Sequence, residues 1–356
     1  MKYRIFAYLV VAASTLLLIP SASATWSGFH SLGKTPVVGE PSCAQLGPSE
    51  VMCVARSQSN TLMANEFSKG AWSGWTNLSG TVTSDPSCVN DGTDTIFCGV
   101  TSSSNTLEAT VFNGKTWSSF VDSGQLVFAN TYEGAGPGSC TPINAGRVLC
   151  AARTQTGTVV ASVFNGTSWG KFSTAATGVT SSPGCTTDGE GDVVCAVNAI
   201  VNNIQTIVVN RFDGAKWNGL INVGGTGVNS PACSYLGVKG QVDCFVRSLD
   251  TGVYVNHFNG GIWELGDWSG WGQITANVGP TTACALLSSG SIVCTWINIQ
   301  DSLLYEQTYN GSQWTGYVKV GGPPLGDGPS CASYASGKAM CVVVGLNNQA
   351  LSVTGP

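Results

Sequence analysis

The sequence predicts an all-β fold, a seven-bladed β-propeller of four-stranded antiparallel blades, and three observations carry that prediction. Fourteen cysteines fall into seven evenly recurring pairs. A phrase of the form aromatic-[Asn or Asp]-Gly-x-x-Trp, once degenerate, follows the first six pairs, and the seventh unit lacks a piece that the start of the chain supplies.

The pairs are Cys43/Cys53, Cys88/Cys98, Cys140/Cys150, Cys185/Cys195, Cys233/Cys244, Cys284/Cys294 and Cys331/Cys341. Six are ten residues apart and one eleven, and they recur every 45 to 52 residues, the period of a propeller blade. Most are entered by a Pro-small-Cys phrase: Pro41-Ser42-Cys43, Pro86-Ser87-Cys88, Pro183-Gly184-Cys185, Pro231-Ala232-Cys233 and Pro329-Ser330-Cys331. Two cysteines at that separation can face each other across a hairpin, so seven local disulfides are expected, each worth roughly 3 kcal/mol in the chain-entropy account. Zinc is the competing use of such residues. The C-x9-C spacing does not fit a zinc site, and His30 and His257 are the only histidines, so no metal or other cofactor is expected.

The second phrase runs Phe112-Asn113-Gly114 to Trp117, Phe164-Asn165-Gly166 to Trp169 and Phe212-Asp213-Gly214 to Trp217, with further copies from Phe258 to Trp263 and Tyr309 to Trp314. Phe67 to Trp72 keeps the aromatics and Gly70 but carries Ser68-Lys69 in place of Asn or Asp. Asn-Gly between β-prone segments predicts a tight hairpin, with positive φ at both central positions if the turn is type I′. A third phrase, Trp-x-x-aromatic followed by an apolar residue and Gly, opens the fourth strand, as in Trp72 to Trp75, Trp117 to Phe120, Trp169 to Phe172, Trp268 to Trp271 and Trp314 to Tyr317. Unit five has five extra residues between Trp263 and Trp268, which predicts a bulge or longer loop. No segment after the N-terminal apolar stretch sustains a helical period.

The ends of the chain agree with this reading. Unit seven stops at Leu351-Ser352-Val353-Thr354-Gly355-Pro356, where its predecessors turn into a fourth strand. The missing strand is the orphan third phrase Thr25-Trp26-Ser27-Gly28-Phe29 with Leu32-Gly33, which would close the ring and leave no free sheet edge around it.

Lys2 and Arg4, the apolar stretch Ile5 to Ile19 and the small residues Ala22-Ser23-Ala24 read as a signal peptide over 1–24, followed by one propeller domain over 25–356. Export to an extracellular or periplasmic compartment suits the paired cysteines. No later stretch is long and apolar enough for a membrane span of ~20 residues. Charged residues are 10% of the chain, and the formal charge of −5 becomes −7 once Lys2 and Arg4 are removed. With no basic cluster, a nucleic-acid partner is not expected.

The W-x-x-W phrase, the trailing apolar-Gly-Gly as in Val320-Gly321-Gly322, the Pro before the next strand and the apolar-apolar-Arg phrase ending at Arg56, Arg153 and Arg247 resemble the PLL-type bacterial propeller lectins. The resemblance covers nearly all of 25–356, although the Cys pairs depart from the pattern. It implies binding of fucose or related sugars in pockets between blades. On that reading Trp75, Phe120, Phe172, Trp271 and Tyr317 are candidate stacking platforms, with packing between blades as their alternative use. Leu220 breaks the series. Arg56, Arg153 and Arg247 could fork onto sugar hydroxyls or a carboxylate, or serve as ion-paired strand residues.

Asp188, Glu190 and Asp192 alternate as in a calcium loop, or form an acidic turn. Asn77, Asn165 and Asn310 begin glycosylation sequons that matter only in a eukaryotic host. The sequence thus points to a non-catalytic, multivalent carbohydrate-binding protein whose partners are glycans or glycoconjugates. A propeller scaffold that docks other proteins is the alternative. A glycosidase is a third reading, since the aromatic-Asn-Gly-x-x-Trp phrase superficially resembles the sialidase Asp box but has one residue fewer between Asn and Gly, and no distinctive carboxylate pair appears.

Overall fold

Alternating apolar residues around each Cys pair make hairpins whose two faces are both buried. In a computed structural model that describes residues 25–128, 138–263 and 267–356, these hairpins assemble into seven antiparallel sheets arranged as a ring. The signal-peptide reading of 1–24 lies outside the described residues. No α-helix occurs among the described residues. Blade one shows the pattern: an inner strand Val37–Gly47, a second strand Glu50–Ser57, a third strand Leu62–Ser68, and an outer strand split into Ala71–Trp72 and Thr76–Asn77. The second-to-third hairpins and the blade-to-blade connections share one face of the ring, here called upper.

All seven disulfides are local, and each joins directly opposed residues of the inner and second strands. Cys43 is bonded to Cys53, Cys88 to Cys98, Cys140 to Cys150 and Cys185 to Cys195. Cys233 is bonded to Cys244, Cys284 to Cys294 and Cys331 to Cys341 in the same register, so the one pair eleven apart still meets face to face. The second-strand partners Cys150, Cys195, Cys244 and Cys294 are buried, as are Cys53, Cys98 and Cys341. These seven sulfurs therefore belong to the core and offer a ligand no surface. On the inner strands Cys233, Cys284 and Cys331 are half-buried.

Each bridge faces the preceding blade. Cys88 and Cys98, for example, pack with Ile96, Val100 and Phe112 against Met52, Val54 and Leu62 of blade one. The core is therefore a set of seams between blades, and no blade covers itself.

Hydrogen bonds add a second kind of link near the axis. The residue before the first Cys is Ser in four blades, and its hydroxyl accepts the Cys N–H of the next blade. Ser42 accepts from Cys88 at 2.8 Å, Ser87 from Cys140 at 3.0 Å, Ser139 from Cys185 at 2.9 Å and Ser330 from Cys43 at 2.9 Å. Gly184, Ala232 and Ala283 occupy the position in the other three, so this chain of bonds spans blades seven through four only.

The ring closes through its termini. Strand His30–Ser31 pairs with Ala350–Gly355, with His30 opposite Ser352 and Ser31 opposite Leu351. The Ser27 N–H donates to the Thr354 carbonyl at 2.8 Å and the Leu32 N–H to the Ala350 carbonyl at 3.0 Å. Trp26 packs with Val353 and Leu304 in the seam between blades six and seven.

Two local expectations need correction. In the Asn/Asp-Gly units only the glycine has positive φ, for example 84° at Gly114 and 86° at Gly214. The preceding side chain holds the turn instead: Asn113 Oδ1 accepts the N–H groups of Lys115 and Thr116 at 3.0 and 2.9 Å, and Asp213 does the same for Ala215 and Lys216. This is an Asx-type turn inside a four-residue loop, not type I′. Blade one, which lacks the Asn, has positive φ at both Lys69 and Gly70 and pairs Ser68 with Ala71. In blade five the strand partner of Phe258 is Trp268, while Trp263, the residue at motif spacing, is a buried ring 5.4 Å from Phe258. The inserted loop lies partly over 264–266, outside the described residues.

Trp26→Ala removes a large ring from the closing seam. It should cost about 3–5 kcal/mol, read as a lowered midpoint in guanidinium unfolding of the oxidised protein.

Candidate functional site

Successive side chains of a strand alternate between its faces, so the second aromatic of the Trp-x-x-aromatic phrase and the residue two further on share a face. That face looks toward the preceding blade. Trp271 lies over Gly225 of blade four, where a Cβ would stand 2.7 Å from its Nε1, and this N–H donates to the carbonyls of Val223 and Gly224 at 3.0 Å. Phe120 lies over Gly80 of blade one in the same way, and the Trp75 ring sits 3.6 Å from a Cβ built on Gly33. Gly33, Gly80 and Gly225 thus lie under an aromatic ring of the next blade, as Gly322 lies under Phe29. Phe172 packs beside Trp169, while Tyr317 is 61% exposed and lies 6.1 Å from Tyr305.

The five predicted aromatics occupy five different clefts, and what surrounds each one separates them. In cleft one/two Phe120 is joined by Glu108 and Asp122, opposed across the strands, and burial and then Asp122 raise the Glu108 pKa. In cleft seven/one Trp75 shares its face with Met63 and Asn77. In cleft four/five Trp271 shares its face with Gln273 and Tyr254, which are directly opposed. The Tyr254 hydroxyl donates to Asp250 at 2.7 Å. A cavity of about 210 Å³ opens there, bordered by Trp271, Tyr254, Ser248, Thr226, Gly225 and Val246. Blade six repeats part of the set, with Tyr305 donating to Asp301 at 3.0 Å and Lys319 reaching the same carboxylate at 3.0 Å. The Asp-x-x-x-Tyr spacing of Asp250/Tyr254 and Asp301/Tyr305 is visible in the sequence and was the missed signal.

The three arginines do not join the aromatics. They end the second strands near the upper face, where each meets a protein partner. Arg56 pairs with Asp85 at 3.4 Å and donates to Asn60 at 2.9 Å, Arg153 stacks over Phe128 at 5.4 Å, and Arg247 donates to the Val278 carbonyl at 2.7 Å. The acidic triplet also has its partner. Arg211, on the third strand of blade four, reaches Asp188 at 2.8 Å, Asp192 at 2.7 Å and Glu190 at 3.8 Å. A guanidinium fills the centre that a calcium reading requires, and the Asp188 Oδ1 accepts the N–H groups of Glu190 and Asp192.

The Pro-small-Cys phrases line the axial channel, where a cavity of about 230 Å³ is bounded by Pro183, Pro231, Pro280, Pro329 and Glu40. At its upper mouth a second cavity of about 520 Å³ gathers Glu40, Asp85, Asp327 and Arg56. Glu40 is crowded into the channel wall beside Thr281 and Gly328. Loss of hydration raises its pKa to about 8, against an opposing hydrogen bond from Thr281 and with lesser repulsion from Asp85 and Asp327.

No protein-family model matches the chain, and a sequence search of curated proteins also finds no match. Solved structures do match. The BP39L lectin from Burkholderia pseudomallei superposes with a TM-score of 0.74 over 89% of this chain and 96% of its own, at 14% identity. The fold is that of propeller lectins. The SapL1 lectin, solved with α-methyl fucoside, gives a TM-score of 0.55 at 12% identity over 83% of this chain and 100% of its own. A mutant of the Aleuria aurantia lectin, solved with Fucα1-6GlcNAc, gives 0.51 at 15% identity over 82% and 99%. The Aleuria lectin is described as six-bladed, and a ring of six cannot superpose fully on a ring of seven.

Between about pH 4.5 and 8 the unfolded chain has released the Glu40 proton and the folded chain has kept it, so stability falls as pH rises through that window and levels off above it. A melting-temperature series from pH 5 to 9 should show this decline, and Glu40→Gln should flatten it.

Proposed function

We propose that this chain is an exported, non-catalytic carbohydrate-binding propeller of the PLL lectin type, acting in an extracellular or periplasmic compartment, with its best-formed site in the cleft between blades four and five. The observation that carries this reading is the convergence of the Trp271 and Tyr254 rings with the Ser248 and Thr226 hydroxyls on one cavity of about 210 Å³. That volume is below the ~300–1,000 Å³ of pockets for drug-sized ligands and suits a single sugar ring. Pyranose C–H groups stack on the aromatic faces, and the hydroxyls and the Asp250-anchored phenol take the sugar oxygens. Fucose or a related sugar is the first ligand to test, since SapL1 and the Aleuria lectin were solved with fucosides. The Tyr305/Tyr317 cleft is the second site. Valency would come from these two clefts rather than from all seven, and two weak sites on one ring still raise avidity on a glycoconjugate.

Glycan-array screening followed by calorimetry with α-methyl fucoside tests the reading. Saturable binding should weaken about tenfold or more in Trp271→Ala, read on a variant whose circular dichroism shows that it still folds. A blank array at millimolar protein contradicts it.

A second reading, a face that docks another protein, is favoured by a separate observation. Five residues after the second Cys, at the tip of the upper hairpin or, in the longer hairpin of blade four, on the strand two residues before its Asn202-Asn203 turn, blades one to three carry Gln58, Ser103 and Gln155, whereas blades four to seven carry Ile200, Leu249, Ile299 and Leu346. The four aliphatic tips are 54%, 83%, 47% and 69% exposed, and Ile204 beside them is 67% exposed. An arc of apolar tips on one half of one face fits a macromolecular contact. Under this reading, cross-linking on the producing cells should capture a protein with the wild type and not with an Ile200→Ser/Leu249→Ser/Leu346→Ser variant that still binds sugar. Equal capture by both sinks it.

A further inference from the structure

We propose that the cleft between blades three and four is a separate binding site for an anionic saccharide, a sugar bearing a carboxylate or a sulfate ester. The choice of a saccharide rests on the lectin reading, and the choice of an anion rests on this cleft alone. A cavity of about 550 Å³ lies between the body of blade three and the third-to-outer hairpin of blade four. Leu149, Ala161 and the Phe212 ring give it apolar walls, Gly214 and Ala215 keep one side low, and Arg147 and Lys171 stand at its edge.

Three facts make the charge of this cleft informative. First, the two cations are particular to blade three. Lys171 occupies the position two residues after the motif Trp, where Gly74, Ser119, Gly219, Gly270 and Gly316 stand in the other complete units. Arg147, three residues before the second Cys, replaces Glu50, Thr95, Asp192, Gln241 and Ser291, and only blade seven has another cation there, Lys338. Second, neither side chain makes an ion pair among the described residues, in a chain whose formal charge is −5. The acids of the facing blade are occupied: Asp188, Glu190 and Asp192 surround Arg211, and Asp213 Oδ1 accepts two backbone N–H groups in its own turn.

Third, the neutral polar groups lining the cavity are already engaged. Ser162 Oγ donates to the Gly170 carbonyl at 2.9 Å, and Ser173 Oγ accepts the Trp217 indole N–H at 3.1 Å. The capacity left for a ligand is therefore cationic, a planar guanidinium fork and an ammonium point charge beside an aromatic ring. That set recognises an acceptor-rich anion on an apolar-faced ring, which is the chemistry of an acidic sugar. It differs from cleft four/five, where the ligand meets hydroxyls and a phenol.

The test is calorimetry on the full-length oxidised protein with four probes: a heparin-derived hexasaccharide for sulfate, an oligogalacturonate for carboxylate, maltohexaose as neutral control and α-methyl fucoside for the other cleft. At least one acidic probe should bind, more weakly as salt rises, and about tenfold more weakly in Arg147→Gln/Lys171→Gln. Trp271→Ala should leave it unchanged. Lys171→Gly, the residue most other units carry, is the variant to read if the double variant unfolds. Acidic binding that is no tighter than maltohexaose, or that is unaffected by both cation variants, overturns the proposal. Absence of fucoside binding by the unmodified protein, with acidic binding present, overturns the reading of cleft four/five and leaves this one standing.

Discussion

A four-stranded sheet with two apolar faces cannot bury either by itself, and that constraint organises this protein. Each blade takes its cover from the two beside it, so the core is a circular set of seams, and the circle has to close for every seam to exist. Closure depends on His30–Ser31 pairing with Ala350–Gly355 and on Trp26 entering the last seam. The disulfides act on a smaller scale. By joining inner and second strands within a blade they stiffen the hairpin that faces the axis, and the four serine hydroxyls tie neighbouring hairpins together at the same radius.

The fold was legible because the repeat writes its geometry in residue types with few alternative uses. Cysteines ten apart need a hairpin, the Asn or Asp before Gly needs a turn, and an orphan Trp phrase at one end needs a partner at the other. The turn type was not legible, because Asn113 and Asp213 favour Asx turns through the same side chains that permit left-handed backbone. Unit five offers two tryptophans, Trp263 at the turn-motif spacing and Trp268 at the head of the fourth-strand phrase, and the strand register gives the pairing with Phe258 to Trp268.

The site was legible in part. The aromatic series places rings between blades, but a ring alone does not distinguish packing from ligand contact. What distinguishes Trp271 is Tyr254, opposite Gln273 on the same face, and that adjacency depends on cross-strand register rather than on any local phrase. The arginines failed to join the rings because they end the second strand near the upper face, away from the outer strand where the aromatics begin. Arg211 escaped notice because its acidic partners lie on a different hairpin of the blade. The units have therefore diverged in what their clefts and tips display, while the seam residues keep the ring.

Hydrogen–deuterium exchange across the two ends of the oxidised protein tests the closure most directly. Amides in 25–33 and 350–355 should exchange as slowly as those of the third and outer strands of blades two to four, because they occupy an equivalent ladder. Rapid exchange at both ends, with the inner hairpins still protected, would mean that the seventh blade is open and the ring is not the structure.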